Sequence, residues 1–430
     1  MSALRVICWI LLQVLPSVGF FMALYGDWVR KNLAIAIPVW LVVQVGAVLE
    51  ANRGRVQKLL AHRSARRRLR TYSQAVVSQI VHLIPGIPEP IDRTEVDTIA
   101  KLLKLRQRVL LVGEAGTGKT GILWALASQL CDRPLILLDA RDFADCKSFE
   151  DMGQRLALTG VGIVDCLRRW GRRRRAVLVL DQCDSVMHTA AGNLVLDFVM
   201  NCSAEPRLGL VFVTRPHESK GMVDLLKIKS DVLTREVKSQ PLSANEATRL
   251  LECIGVTSPT PEVTELARNL LELSMIGDLV QTNGADSLEG IDGELGLWER
   301  YRLSLAGREG ATRSPDAAIA ERAIGLAAES LKHLRGTCQL TSPRTREDER
   351  LLSRQVLVKD VGERYRFRHE RFRDYLFAWD ATKRKQWSLA DIKDAIGAGQ
   401  AGVVSDWVVR LYEEMDDGLA ASFLAEMLND

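Results

Sequence analysis

The chain has 430 residues, which exceeds one ordinary domain and predicts two or three folded units. Hydrophobic residues make up 47% and charged residues 26%, a composition that excludes a disordered or collagen-like protein. The eight cysteines show no Cys-x-x-Cys and no paired Cys/His spacing, which argues for reduced cytosolic thiols and against a zinc site or disulfide framework. The net charge of +4 is uneven, because residues 1–70 hold eleven Lys/Arg and two acidic residues.

Two uncharged apolar segments lie near the N-terminus. Residues 6–25 give 20 residues, about 30 Å as a helix, and residues 33–49 give 17 more. Eight Lys/Arg follow the second segment and two lie in the loop between the segments, so the positive-inside rule places the following side in the cytoplasm. We therefore predict a transmembrane helical hairpin over 1–52, in a multi-pass protein of the bacterial inner membrane whose two termini and remaining domains are cytoplasmic.

A secretory signal is the alternative for the first segment. Arg5 would supply its basic region, and Ser17 and Gly19 would form a small-residue cleavage site. The second segment would then remain as an anchor, and the basic cluster would still hold residues 53–430 inside.

Two basic stretches lie beyond the predicted hairpin. Residues 53–90 predict a basic juxtamembrane helix that becomes apolar, followed by a Pro-rich linker. The cationic face of this helix either holds anionic lipid head groups or serves only as a topology signal. The run Arg172–Arg175 is predicted to be a solvated loop, with a contact to a neighbouring subunit as the alternative.

From residue 91 onward, apolar strand runs alternate with helical patterns. The runs VLLV, LILL, AVLVLD and LGLVFVTR begin at residues 109, 135, 176 and 208. This alternation predicts an α/β domain over 91–238, with a parallel sheet covered by helices on both faces. After Ser239 helical periodicity dominates, apart from a short strand-like pair around 356–368.

The segment that follows the first strand run fits the pattern G-x-x-x-x-G-K-[ST] and precedes a helix, the context that a phosphate-binding loop (P-loop) requires. Its glycines let backbone N–H groups and a helix N-terminus surround phosphate oxygens. Lys119 is predicted to reach the β- and γ-phosphates, and the Thr120 hydroxyl to ligate Mg²⁺. The predicted nucleotide-binding residues here are Gly113, Glu114, Ala115, Gly116, Thr117, Gly118, Lys119, Thr120 and Gly121.

Two carboxylates follow the third strand run. Asp181 ends the run, where a second Mg²⁺ contact belongs, and Asp184 is the candidate for polarising the attacking water. Asp184 could also cap the next helix, a role compatible with the first. We predict Lys119, Asp181 and Asp184 as catalytic residues, and Arg215 at the end of the fourth run as a nucleotide contact, with an ordinary turn as the alternative.

Together these motifs resemble the signal-transducing STAND NTPases, in particular the NACHT group related to innate-immune receptors. Residues 241–251 (PLSANEATRLL) are similar to the family's entry into its helical domain, and residues 365–378 (YRFRHERFRDYLFA) resemble its winged-helix signature. The resemblance covers about residues 91–385. It implies a P-loop NTPase domain at 91–238, a helical domain at 239–310, a winged-helix-like domain at 311–385 and a short helical tail at 386–430.

The resemblance also implies a role for His369. In that family the winged-helix histidine contacts the β-phosphate of bound ADP and holds a closed, inactive state; a packed helix histidine near Phe367 and Phe372 is the alternative. The family usually binds adenine nucleotide and the NKxD guanine motif is absent, so the implied cofactors are ATP or ADP with Mg²⁺. Residues 91–93 match the place where the family approaches the base and ribose.

The sequence departs from the family in three respects. Ser185 stands where an acidic residue commonly follows the second Asp, which leaves the hydrolysis rate open. The proline that often marks the helical domain's nucleotide contact is absent around 274–279. About fifty residues follow the winged-helix signature, so ligand sensing is expected to use the short tail, the ATPase module or another protein.

The predicted function is a membrane-anchored, ADP/ATP-controlled switch with slow ATP hydrolysis. An unknown trigger, a protein or phage component, would promote nucleotide exchange and homo-oligomerisation, so that clustered hairpins perturb the lipid bilayer in prokaryotic antiviral, abortive-infection-like defence. The alternatives are a constitutive membrane-tethered AAA-like ATPase and a membrane scaffold with a structural nucleotide site. Nucleic-acid binding is not indicated, because the basic excess lies beside the predicted spans.

Overall fold

A computed structural model describes much of the chain from Arg53 onward. Within the described ranges, no helix is long and apolar enough to cross a membrane. The predicted hairpin over 1–52 lies outside these ranges, as does Asp184. The described residues are 53–78, 80, 83–130, 133–183, 186, 190–216, 219, 234–306, 317–332, 336–360, 364–385, 387–395, 401–415 and 417–428.

Five parallel strands form the central sheet, in the order β2-β3-β4-β1-β5. The strands are β1 (Arg108–Val112), β2 (Leu135–Asp139), β3 (Val177–Asp181), β4 (Gly209–Thr214) and β5 (Thr234–Lys238). The first four coincide with the apolar runs and confirm the predicted parallel sheet. β5 was not predicted, because it has no apolar run. It is an edge strand on which Arg235, Glu236 and Lys238 are exposed.

Helices cover both faces of this sheet. They are α1 (Arg53–Ser78), α2 (Thr94–Lys104), α3 (Lys119–Gln129), α4 (Phe149–Arg155), α5 (Ile163–Arg174) and α6 (Ala190–Ser203). Leu110 and Leu178 enter the core on one face, and Val109 and Val179 enter the core on the other, because successive strand residues point to opposite sides. The predicted two-sided α/β architecture is thereby confirmed.

The run Arg172–Arg175 is helical up to Arg174, so its prediction as a loop is wrong. Buried residues recur at helical spacing before the run, and this apolar stripe extends α5 into it. These residues are Ile163, Cys166, Leu167 and Trp170. The four arginines are exposed, as predicted.

The predicted basic helix is confirmed as α1, and its second half packs along β2. Ala65 and Leu69 are buried in the sheet core. The buried Ser73 hydroxyl accepts a hydrogen bond from the backbone N–H of Leu137 at 2.9 Å. This part of α1 therefore belongs to the core of the α/β domain.

Replacing Ser73 with alanine is expected to destabilise the protein by about 1–3 kcal/mol, because it leaves the buried Leu137 N–H without an acceptor. Ser64→Ala is the control: Ser64 is exposed on the same helix, and its loss should change stability by less than about 0.5 kcal/mol. Denaturant unfolding of the detergent-purified protein measures both. Equal unfolding midpoints would contradict this packing.

The C-terminal half is mainly helical and shares one core that extends from Leu242 to Phe423. It includes an antiparallel sheet of β6 (Thr337–Cys338), β7 (Leu357–Lys359) and β8 (Tyr365–Phe367), with β8 central. The predicted strand pair is confirmed and a third strand joins it. The helices are α7 (Ala244–Ile254), α8 (Pro261–Ala267), α9 (Leu270–Asn283), α10 (Glu294–Ala306), α11 (Ala317–Leu331), α12 (Arg346–Ser353), α13 (Glu370–Trp379), α14 (Leu389–Ala395), α15 (Ala401–Glu413) and α16 (Asp417–Leu428).

Candidate nucleotide-binding site

The P-loop connects β1 to α3, which confirms the predicted strand–loop–helix context. Gly116 and Gly118 have φ angles of +82° and +89°, in the left-handed region that favours glycine. Lys119 folds back over the loop, where its Nζ donates to the carbonyl oxygens of Gly113 at 2.5 Å and Glu114 at 2.7 Å. The lysine thus lies inside the curve of the loop, where phosphate oxygens bind in this motif.

Two neighbouring segments fix the conformation of the loop. Arg93 donates from Nη1 to the carbonyl oxygen of Thr117 at 3.1 Å. Asn269, just before α9, donates from Nδ2 to the carbonyl oxygen of Ala115 at 3.0 Å. A Cβ added to Gly116 would lie 2.0 Å from Asn269 Oδ1, so this close approach of the helical region requires glycine.

A cavity of about 330 Å³ lies between the P-loop, α9 and the β8–α13 segment. Its polar lining includes Gly116, Gly118, Lys119, Thr120, Gly121, Asp181, Arg215, Arg366, His369 and Glu370. Its apolar lining includes Ile84, Ile91, Trp124 and Leu271. Residues predicted from separate motifs therefore meet around one space, which offers charged groups for phosphates and apolar side chains for a base.

A chain of charged residues begins at Asp181 and ends at Glu370, both of which line this cavity. Asp181 pairs in register with Asp139, which ends β2. Arg141 holds Asp139 with an Nη2–Oδ2 distance of 2.6 Å and donates from Nη1 to Glu370 of α13. Burial alone would raise the pKa of Asp139, but Arg141 holds it below its usual range. The chain thus joins the strand ends of the NTPase domain to α13.

The protonation of Asp181 predicts a pH-dependent metal affinity. Burial, and secondarily the neighbouring Asp139, raise the pKa of Asp181 to about 6. Because Mg²⁺ binds the ionised carboxylate, protons compete with it below that pH, and its apparent affinity should fall about tenfold per pH unit there. Mg²⁺ titrations of the ADP-loaded protein between pH 5 and 8 measure this. Asp181→Asn is the control, because it retains only the pH dependence of the nucleotide phosphates. Identical pH profiles of Mg²⁺ affinity in the wild-type protein and in this variant would contradict the prediction.

Three buried polar atoms at the site have no hydrogen-bond partner within the described part of the chain. They are Nε2 of His369, Nε of Arg366 and Nε of Arg368, and all three residues line the cavity. Burial, and secondarily Arg368, lower the pKa of His369 to about 3, so its imidazole is neutral near pH 7. Buried polar groups without partners cost free energy. Phosphate oxygens would satisfy these nitrogen donors, so the three residues fit a nucleotide.

Some predicted site residues do not line the cavity, and some residues at the site were not predicted. Gly113 packs inside the P-loop, where an added Cβ would lie 2.7 Å from Thr117 Oγ1. Asp184 lies outside the described residues, so its role stays a prediction. Sequence reasoning missed Asp139 and Arg141, although polar residues directly after an apolar strand run were the same signal that identified Asp181. Arg366 was not predicted as a site residue either, although it lies within the stretch 365–378 that carries the winged-helix resemblance.

No protein-family model and no curated protein sequence matches the chain. Among solved structures, it is similar to a STAND protein with a tetratricopeptide repeat sensor from Pyrococcus horikoshii (TM-score 0.40, 13% identity, covering 78% of this chain and 47% of that one). It is also similar to AMPPCP-bound DnaA from Aquifex aeolicus (0.35, 15%, 74% and 87%) and to a Walker-type ATPase of Pyrococcus abyssi (0.33, 16%, 66% and 95%). These similarities are remote, so the P-loop NTPase fold rests on the P-loop itself, the strand order and the position of Asp181.

Proposed function

We propose that the chain is an ATP/ADP-dependent switch of the STAND type. The observation that carries this proposal is the position of β8 and α13: residues 366–371 form one wall of the cavity whose opposite wall is the P-loop. A nucleotide that contacts both walls stabilises their present arrangement by its binding free energy. The identity of the bound nucleotide would therefore control whether the walls stay together.

The proposed roles of the residues follow from their positions and chemistry. The P-loop N–H groups and Lys119 would hold the phosphates, and Thr120 with Asp181 would hold Mg²⁺. Mg²⁺ supplies charge neutralisation at the β- and γ-phosphates when it is bound. Asp184 is proposed to polarise the attacking water and Arg215 to contact the nucleotide. Neutral His369 would donate a hydrogen bond from Nε2 to the β-phosphate of ADP.

The wider proposal extends this switch to the membrane. ADP would be bound at rest, and a trigger would promote exchange to ATP and homo-oligomerisation. The segments within 1–52 would anchor the protein in the bacterial inner membrane, and their clustering would perturb the bilayer as an antiviral response. The support is sequence-based: the two apolar segments precede the NTPase domain and the basic cluster follows them.

The rate of ADP release tests the switch. The wild-type protein should turn over ATP slowly and release ADP slowly. His369→Ala should release ADP at least about tenfold faster, because a hydrogen bond to a charged group contributes about 1.5–3 kcal/mol. His369→Gln keeps a donor and should restore part of the retention. Fast wild-type turnover with rapid ADP release would instead favour a constitutive ATPase.

Deletion of residues 1–52 tests the membrane part separately. The truncated protein should neither depolarise the inner membrane nor be toxic on expression, yet it should bind nucleotide like the full chain. If it is as toxic as the full chain, the predicted hairpin is not the effector.

A further inference from the structure

Two helices that are far apart in sequence bring their arginines to one surface. α5 packs against α1, and the Arg70 guanidinium lies 5.8 Å from the ring centre of Trp170. Arg66 of α1 and Arg173 of α5 both repel the guanidinium of Arg169 on α5. We call this surface the basic face, and its members are Arg63, Arg66, Arg67, Arg70, Arg169 and Arg173.

The basic face also carries exposed leucines. At 100° per residue, the four arginines of the basic face on α1 occupy an arc of about 120° together with Leu59 and Leu60. The leucines are 48% and 59% exposed. Ala65 and Leu69 lie outside this arc and are buried against the sheet. The side of α1 that faces away from the domain is therefore both cationic and apolar.

The positive charge of the basic face is not neutralised locally. None of its six arginines has a carboxylate ion-pair partner among the described residues, and Asp165 is the acidic residue that interacts with the adjacent His62. Burial is the main cause that lowers the pKa of Arg169, and repulsion from Arg173 and Arg66 lowers it further. Like charges held together in this way raise the free energy of the folded protein, and an anionic partner lowers it again.

We propose that the basic face docks on the anionic surface of a lipid bilayer. A membrane is favoured over a nucleic acid because exposed leucines among the arginines can enter the boundary between head groups and acyl chains. Leu59 also follows the second predicted span, which ends at residue 49, by ten residues. The inference rests on the proposed membrane attachment and goes beyond it, since it assigns a second contact, made by α1 and α5, that fixes the NTPase domain against the bilayer.

Arginine footprinting of the full chain tests this contact. The protein is reconstituted into vesicles of phosphatidylcholine, with or without phosphatidylglycerol, and treated with phenylglyoxal, and each modified arginine is quantified by mass spectrometry. We expect the arginines of the basic face to react up to about fivefold more slowly on anionic vesicles. A factor of five corresponds to the free energy of about 1 kcal/mol that one cation gains near such a surface. Molar salt should abolish the protection. The internal controls are Arg235, Arg249, Arg346 and Arg350, which are exposed elsewhere and should not change.

A paired substitution tests the leucines. Leu59→Ser combined with Leu60→Ser should reduce the protection of the neighbouring arginines without unfolding the protein, because both side chains are exposed. Leu424→Ser is the matched control, since Leu424 is 40% exposed on α16. Equal protection in the double variant and the control would contradict insertion of the leucines into the membrane.

Vesicle flotation separates this inference from the proposed anchor. If the protein floats with both vesicle types but its arginines react equally on each, the docking of the basic face is refuted and the proposed anchor is not. A chain that floats only with anionic vesicles, with its basic face protected, supports docking and refutes the hairpin anchor; failure to float with either refutes both. If added RNA or DNA protects these arginines on neutral vesicles and phosphatidylglycerol does not, the membrane proposal is refuted and a nucleic acid is the partner of the basic face.

Discussion

Replacing Arg141 with alanine is expected to destabilise the protein by about 3–5 kcal/mol, the usual cost of removing one partner of a buried ion pair. The Arg141 side chain is 10% exposed and the paired Asp139 side chain 19%. Without the guanidinium, Asp139 would lose its ion-pair partner while it remains adjacent to Asp181, and Arg366 and Lys119 would be left as the cations that attract these two carboxylates. Denaturant unfolding of the detergent-purified protein measures the loss, and ADP release should become faster in parallel.

Glu370→Gln is the matched control for this variant. It removes the contact to α13 but leaves Arg141 paired with Asp139. Because the Glu370 side chain is 31% exposed, its ion pair is partly screened by solvent and should contribute about 1 kcal/mol or less to stability. We therefore expect near-normal unfolding with ADP release accelerated a few-fold. If Arg141→Ala and Glu370→Gln have the same denaturant midpoint, the Arg141–Asp139 pair does not have the structural role proposed here.

Gly116→Ala is expected to weaken nucleotide binding by at least about tenfold, because a non-glycine residue in the left-handed region costs roughly 1–2 kcal/mol. The collision with Asn269 adds to this strain, since the new Cβ would lie 2.0 Å from Oδ1 of a side chain that also bonds to the P-loop. The P-loop and the start of α9 cannot both keep their positions. Titration with a fluorescent ADP analogue measures the change in affinity.

Gly325→Ala provides the control, because Gly325 is exposed within α11, does not line the cavity, and an added Cβ would meet no atom within 4 Å. It keeps the backbone N–H and should stabilise the helix by about 0.5–1 kcal/mol. Its ADP affinity should equal that of the wild-type protein. If Gly116→Ala also bound ADP normally, the close contact between the P-loop and α9 would not be required for nucleotide binding.

The sequence allowed prediction of those parts of the fold that local patterns determine. Apolar runs predicted β1 to β4, and glycine spacing predicted the P-loop, because burial on both faces and close phosphate approach each restrict residue type. β5 was missed because an edge strand can be polar. The helical end of α5 was missed because four consecutive arginines suggested a loop, although the preceding apolar residues have helical spacing.

The contacts between distant segments could not be predicted from local pattern. Arg141 and Glu370 are 229 positions apart, and nothing in either neighbourhood indicates that they meet. The resemblance of residues 365–378 to a winged-helix signature marked His369 as a nucleotide contact, and the structure places this side chain in the cavity beside the P-loop. The position of Arg366, whose Nε has no hydrogen-bond partner among the described residues, depends on β8 passing the ends of β2 and β3, which no local pattern indicates.

The proposal that residues of the P-loop and of the β8–α13 segment enclose one nucleotide is tested most directly by denaturing the detergent-purified full chain and identifying the nucleotide released. We expect near-stoichiometric ADP from the wild-type protein, less from His369→Ala, and none from Lys119→Ala, which serves as the blank. A wild-type protein that releases no nucleotide and yet hydrolyses added ATP rapidly would contradict the proposal.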